Sequence, residues 1–155
     1  MMRIERFIKV MMCLTALLLV IQGNAQNTSK LIYSADKYFK IRNYNEALPL
    51  YLEAIEQGVK NDPLVFYNAG VCYIESNSID EQVKSITYFE KAINLGVDQL
   101  PPTAYNRLAS AYHKDEQIEQ AIKYYELYKT SLNKNNVPAI KRVERGLEIA
   151  NNALL

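Results

Sequence analysis

Residues 104–128, AYNRLASAYHKDEQIEQAIKYYELY, decide the fold. Tyr105, Ala109 and Tyr112 are spaced i, i+4 and i+7, one face of a 3.6-residue helix. After a short polar turn, Ala121, Tyr125 and Tyr128 repeat that spacing. The same skeleton appears twice upstream. Leu31, Ala35 and Tyr38 are followed by Ala47, Tyr51 and Ala54, and Phe66, Gly70 and Tyr73 by Ser85, Phe89 and Ala92. Among these aligned positions only Ser85 and Tyr128 depart in type. Each unit therefore reads as two helices joined by a turn.

The residue types have a packing logic. Ala35, Gly70 and Ala109 leave room for the second helix of their unit, and Ala47, Ser85 and Ala121 answer them from that helix. Large aromatics beside these gaps act as knobs, burying roughly 150–250 Å² each. Punctuation agrees with the helices. Asp62-Pro63 reads as a cap and a first-turn proline, and Pro101-Pro102 as a similar opening of the fifth helix. Gly58 and Gly96 close the second and fourth helices, both in the phrase Ala-Ile-x-x-Gly-Val. With Asn45 as cap, Pro49 falls at about the fourth position of its helix, where it removes little bonding.

This pattern resembles the tetratricopeptide repeat (TPR). The resemblance implies an all-α solenoid of three helix-turn-helix repeats, about 28–61, 63–98 and 102–134, in a domain spanning 26–155. The small positions recur after 35 and then 39 residues, against roughly 34 in that family. Extra residues fall within Ser76-Asn77-Ser78-Ile79-Asp80 and at the joints near Lys60-Asn61 and Gln99-Leu100, where loop closure tolerates them. A seventh helix, about 137–153, carries Ile140, Val143, Leu147, Ala150 and Leu154 as one stripe. A solenoid needs such a closing helix to cover its last apolar face.

The amino terminus sets the compartment. Arg3, Arg6 and Lys9 precede an apolar run from Val10 to Ile21, and Gly23-Asn24-Ala25 follows. That is the layout of a secretory signal peptide spanning residues 1–25, with a mature start at Gln26. The apolar core is too short for a membrane span, which takes about 20 residues, so no transmembrane segment is expected after cleavage. The chain carries 18 basic and 17 acidic residues. Cleavage removes Arg3, Arg6, Lys9 and Glu5, which leaves a formal charge near −1 and no electrostatic footprint for nucleic acid. Cys72 alone remains of the two cysteines, so packing rather than a disulfide must hold the fold.

No catalytic constellation is legible. His113 has no second histidine or cysteine near it in the pattern, no glycine-rich phosphate loop exists, and no metal or cofactor is expected. The chemistry expected instead is binding of a protein or peptide.

In TPR arrays the first helix of each unit lines a concave groove. The resemblance puts Ile32, Asp36, Phe39 and Lys40, then Leu64, Tyr67, Val71 and Ile74, then Asn106, Ser110 and His113 on that face. Leu64 to Ile74 is apolar nearly all round, a pattern that fits either burial on every side or a binding patch. Phe39, Tyr67 and Ile74 are expected as accessible anchors, and Tyr38, Tyr73 and Tyr112 as core. TPR domains that clamp chaperone carboxylates use Lys and Asn at inward positions held here by Ile32, Asp36, Tyr67 and Val71. That difference, together with export, argues against a cytosolic chaperone as partner.

Three phrases carry a closer resemblance: Tyr67-Asn68-Ala69-Gly70-Val71-Cys72-Tyr73-Ile74, Tyr88-Phe89-Glu90-Lys91-Ala92-Ile93 and Ala121-Ile122-Lys123-Tyr124-Tyr125-Glu126. With Ile140-Lys141-Arg142-Val143 they are similar to the N-terminal TPR region of periplasmic proteins bearing OmpA-like peptidoglycan-binding domains, some serving type IX secretion. That implies an envelope scaffold in a secretion or assembly complex. The alternative is a structural TPR segment of a longer OmpA-like protein.

Overall fold

The structure, a computed structural model, describes residues 2–154 and, within them, all side chains except those of residues 2–10 and 16–25. Seven α-helices follow one another: α1 (Met2–Lys40), α2 (Tyr44–Glu56), α3 (Pro63–Ile74), α4 (Ile79–Gly96), α5 (Ala104–Lys114), α6 (Ile118–Ser131) and α7 (Val137–Asn152). One 3₁₀ turn, Val97–Gln99, joins α4 to α5. No strand occurs among the described residues, and no helix among them is long and apolar enough to cross a membrane.

The helices pack as hairpins α1–α2, α3–α4 and α5–α6, stacked through α2–α3, α4–α5 and α6–α7. The first helices also touch directly, α1 with α3 and α3 with α5. That asymmetry curves the stack and puts α1, α3 and α5 on its inner side. The expected solenoid of three hairpins and a closing helix is the observed fold.

The helix ends follow from local chemistry. Asp62 caps α3, its Oδ1 accepting from the backbone N–H of Leu64 at 3.0 Å and of Val65 at 3.2 Å, with Pro63 in the first turn. Gly58, at φ 113°, ends α2 in a Schellman turn: its N–H reaches Ile55 O, and Val59 N–H reaches Ala54 O. The same turn ends α1 and α5, but with Arg42 (φ 59°) and Glu116 (φ 57°) in the left-handed position. These two residues occupy equivalent places seven after Ala35 and Ala109. Unit two, lengthened at Ser76–Asp80, has no left-handed residue there.

Two openings differ from expectation. Asn43 rather than Asn45 caps α2, so Pro49 stands at the sixth residue and removes a true intrahelical donor. The fifth helix opens at Ala104 with Thr103 as cap, two residues beyond Pro101-Pro102, whose first carbonyl accepts from Ala104 N–H.

The core is organised around small residues. A Cβ on Gly70 would stand 2.8 Å from the Phe89 ring, so α3 and α4 approach at van der Waals contact. Phe89, Tyr51, Ala35, Ala109 and Ala121 are all fully buried. Ser85, the one polar residue buried to that degree among the described residues, donates its hydroxyl to Gln82 O in the preceding turn at 2.6 Å. One apolar cluster spans units two and three and α7, and a second joins unit one to the Val65, Ala69 and Cys72 side of α3. Phe39, Tyr44, Ile55 and Tyr88 touch both, which fuses them.

The two ends of the stack are built differently from its middle. α3 turns Val65, Ala69 and Cys72 back onto the preceding unit, and α5 does so with Ala104, Leu108 and Ala111, all buried. The matching places on α1 hold Lys30, Ser34 and Lys37, so the face that a preceding unit would cover is made for water. On α7, Ala139 and Val143 are buried against α6, and a Cβ on Gly146 would meet Tyr125 at 3.1 Å. Where a following second helix would then need a small residue, Glu144 is exposed and paired with Lys129 at 3.3 Å.

Two outcomes follow. Gly70→Ala forces the Phe89 ring out of place and should lower stability by ~1–3 kcal/mol in denaturant unfolding; an unchanged midpoint would contradict this packing. Glu116→Gly relieves a left-handed backbone in an exposed residue and should raise the unfolding free energy by about 0.5–1 kcal/mol in the same measurement.

Candidate interaction groove

The inner side of the stack is built by α1, α3 and α5, and its character changes along the three. On α5, Thr103, Asn106, Arg107, Ser110 and Lys114 are spaced i, i+3, i+4, i+7 and i+11, one continuous stripe. Facing them are Ile74, the last residue of α3, and Glu75 just beyond it. These seven residues line an open cleft of about 370 Å³. Across it the Arg107 Nη1 donates to Glu75 Oε1 at 3.0 Å, both side chains being partly exposed. Tyr67 lies beside Arg107 and, with Glu75, favours its charged form.

Of the expected groove residues, Ile74, Asn106 and Ser110 come together in this cleft. Leu64 and Lys40 are exposed and His113 is half-buried, but none of them lines it. Two expectations fail outright. Tyr67 is 6% exposed and Val71 2%. Tyr67 packs on Phe89 with ring centroids 5.7 Å apart and only its hydroxyl reaches outward, 3.5 Å from Thr103 Oγ1. α3 is central, with α1 and α2 on one side and α4 and α5 on the other, so its second apolar stripe is core. Phe39 is likewise half-buried, edge-on to Tyr44 at 5.6 Å and Tyr51 at 6.1 Å, rather than an accessible anchor. Tyr38, expected in the core, is 38% exposed, because among the described residues α1 packs only against α2 and α3.

The first-unit end of the groove is occupied by the protein itself. Buried Tyr51 donates its hydroxyl to Asp36 Oδ1 at 2.6 Å and accepts from Asn68 Nδ2 at 3.1 Å. This clasp ties α1, α2 and α3 together. Burial, then the Asp36 contact, pushes the Tyr51 phenol well above its ordinary pKa. Asp36 is therefore engaged in holding the fold, and Ile32 packs against the cluster beside it. At the far end Tyr112 reaches across from α5 to Glu90 of α4, and its ring stacks on Tyr124 at 5.6 Å.

Sequence reasoning missed Glu75, Thr103, Arg107 and Lys114. The signal was available: the expected groove residue Lys40 stands five after Ala35, and Glu75 and Lys114 stand five after Gly70 and Ala109.

Comparison with known proteins agrees with the geometry. Residues 102–130 match the sequence profile of the tetratricopeptide repeat. Over 117 residues the chain is 29% identical to human DnaJ homolog subfamily C member 7 and 28% to the mouse protein, covering 73% of this chain. It spans only 23% of those proteins' length. The TPR2B domain of yeast Sti1, solved in complex with pHsp70, superposes with a TM-score of 0.61 at 18% identity, covering 82% of this chain and 98% of that one. The first TPR domain of human RPAP3 gives 0.59 at 21% identity, covering 81% and 96%. The protein thus has the fold of a TPR domain, and residues 102–130 carry the repeat's own sequence signature.

Because Tyr67 is core and Phe39 packs against both apolar clusters, Phe39→Ala with Tyr67→Ala should abolish cooperative unfolding, the Tyr67 change alone costing ~3–5 kcal/mol. Asn106→Ala with Ser110→Ala, both in the cleft, should change the unfolding free energy by no more than about 1 kcal/mol in denaturant unfolding.

Proposed function

We propose that this protein is an exported TPR scaffold that holds a partner protein in the cell envelope by a segment laid along the α3–α5 cleft, as part of a secretion or assembly complex. The observation that carries the reading is the cleft itself: open, polar-lined, and formed by side chains of two adjacent first helices that folding leaves partly exposed. Export rests on the basic start, short apolar core and Gly23-Asn24-Ala25. Structural relatives support peptide binding on this fold, since the first TPR of Spaghetti (RPAP3) was solved with the HSP90 peptide SRMEEVD. The role is non-enzymatic, in keeping with side chains placed for recognition rather than for chemistry. The resemblance of three phrases to OmpA-like proteins motivates a second reading, a structural TPR segment of a longer peptidoglycan-associated protein.

The test has two arms. Intact mass of the protein recovered from the envelope fraction should correspond to a start at Gln26, and retention of Met1 would overturn export. In crosslinking from envelope extract, Arg107→Glu with Lys114→Glu should lose the partner that the native chain retains, whereas Lys91→Glu, away from the cleft, should keep it. Equal capture by all three would move the binding surface elsewhere.

A further inference from the structure

The cleft between α3 and α5 already contains the chemistry of its ligand. Arg107 and Lys114 bring two positive charges to one wall, and the opposite wall supplies one negative charge, Glu75. Its lining residues therefore carry one net positive charge, while Lys114 also borders a neighbouring hollow with Asp80, Asp115 and Glu116. Glu75 Oε1 sits 3.0 Å from Arg107 Nη1, so the position in front of the guanidinium is shaped for a carboxylate and is held by one from the chain itself. Nothing locks that carboxylate in place. Glu75 follows the last residue of α3, its side chain is 42% exposed, and Arg107 is its one ion-pair partner among the described residues. Arg107 is better fixed, because its side chain is 32% exposed and has Tyr67 beside it. When the pair opens, Glu75 is therefore the member that moves to solvent and Arg107 the member that stays.

We propose that Glu75 is a tethered stand-in for a partner carboxylate: the cleft takes an acidic side chain of an extended partner segment, which displaces Glu75 from Arg107 while an adjoining apolar side chain rests on Ile74. This deepens the scaffold reading, on which it rests, by naming the recognised group and the residue that weakens its capture. Asn106 and Ser110 offer hydrogen bonds to the segment's backbone along the α5 stripe, and Lys114 adds a second cation near the end of the helix. The other end of the inner face is closed to a second carboxylate, because Asp36 and its Tyr51 partner occupy it. Recognition is thus one-ended, centred on a single acidic side chain rather than on a chain terminus held from both sides. A competitor that fills the site most of the time lowers apparent affinity by the fraction of time it is bound.

The experiment uses two capped, fluorescently labelled heptapeptides that differ only in a central glutamate or glutamine flanked by leucines, titrated against the native chain and three variants. The glutamate peptide should bind the native chain more tightly than the glutamine peptide. Glu75→Gln should tighten the glutamate peptide by about 2- to 5-fold, the range a half-exposed ion pair can impose, and leave the glutamine peptide unchanged. Arg107→Gln should remove the preference. Asp115→Asn deletes a nearby negative charge that does not touch Arg107, and should leave both affinities near the native values; a gain equal to that of Glu75→Gln would reduce the effect to bulk charge and overturn the proposal. So would no change, or weaker binding, in Glu75→Gln with its unfolding midpoint intact. Binding of neither peptide by any variant would overturn the carboxylate site, while groove-dependent crosslinking of the envelope partner would still stand or fall on its own result.

Discussion

A gap of one missing side chain opposite one large ring organises this molecule. Where Gly70 meets Phe89, a single added methyl would stand 2.8 Å from the ring, so the two helices of unit two are as close as their backbones allow. Units one and three use the same device less severely, with buried Ala35 and Ala109 on their first helices and buried Tyr51 and Tyr125 on their second. Close approach lets the aromatics reach full burial, and dense packing of this kind leaves little tolerance for a change of volume. The pitch of each hairpin, and through it the curvature of the stack, follows from these contacts.

Hairpins alone would slide past one another, and the polar clasps between units oppose this. Tyr51 joins Asp36 and Asn68 across three helices, Tyr112 joins α5 to Glu90 of α4, and Arg107 joins α5 to Glu75 beyond the end of α3. The first two involve buried phenols, whose pKa values burial raises, so these hydroxyls remain donors to their carboxylates through the neutral range. The third is half in water. Two clasps therefore serve rigidity, and the one left open to solvent is the one that lines the cleft. On the proposed reading, function is drawn from the part of the polar network that the fold can spare.

The ends of the stack show how a repeat architecture stops. Lys30, Ser34 and Lys37 replace the apolar triad by which α3 and α5 grip the preceding unit, and Glu144 replaces the small residue that would admit another second helix. Repeat proteins need polar outer faces at their terminal units, because an internal face left bare would expose contiguous apolar surface.

Much of this was legible in the residues themselves. Helix spacing, the small-residue positions and the closing helix are local or periodic properties, and helical periodicity survives whatever the chain packs against. Asp62-Pro63 and Gly58 encode their caps in one or two residues, and the structure agrees with both. Which of two apolar stripes on α3 faces water is not periodic information. Tyr67 and Val71 repeat as well as Phe66 and Gly70 do, and only contact with flanking helices on both sides makes them core. The cleft was hidden for the same reason. Glu75 and Arg107 lie 32 residues apart, and their pairing depends on how far the stack curves between α3 and α5. The sequence by itself determined the helices, their pairing and their number, because those depend on spacing along one chain. The tertiary structure decided which side chains the curvature leaves in solvent, because exposure is a property of neighbours that the pattern does not name.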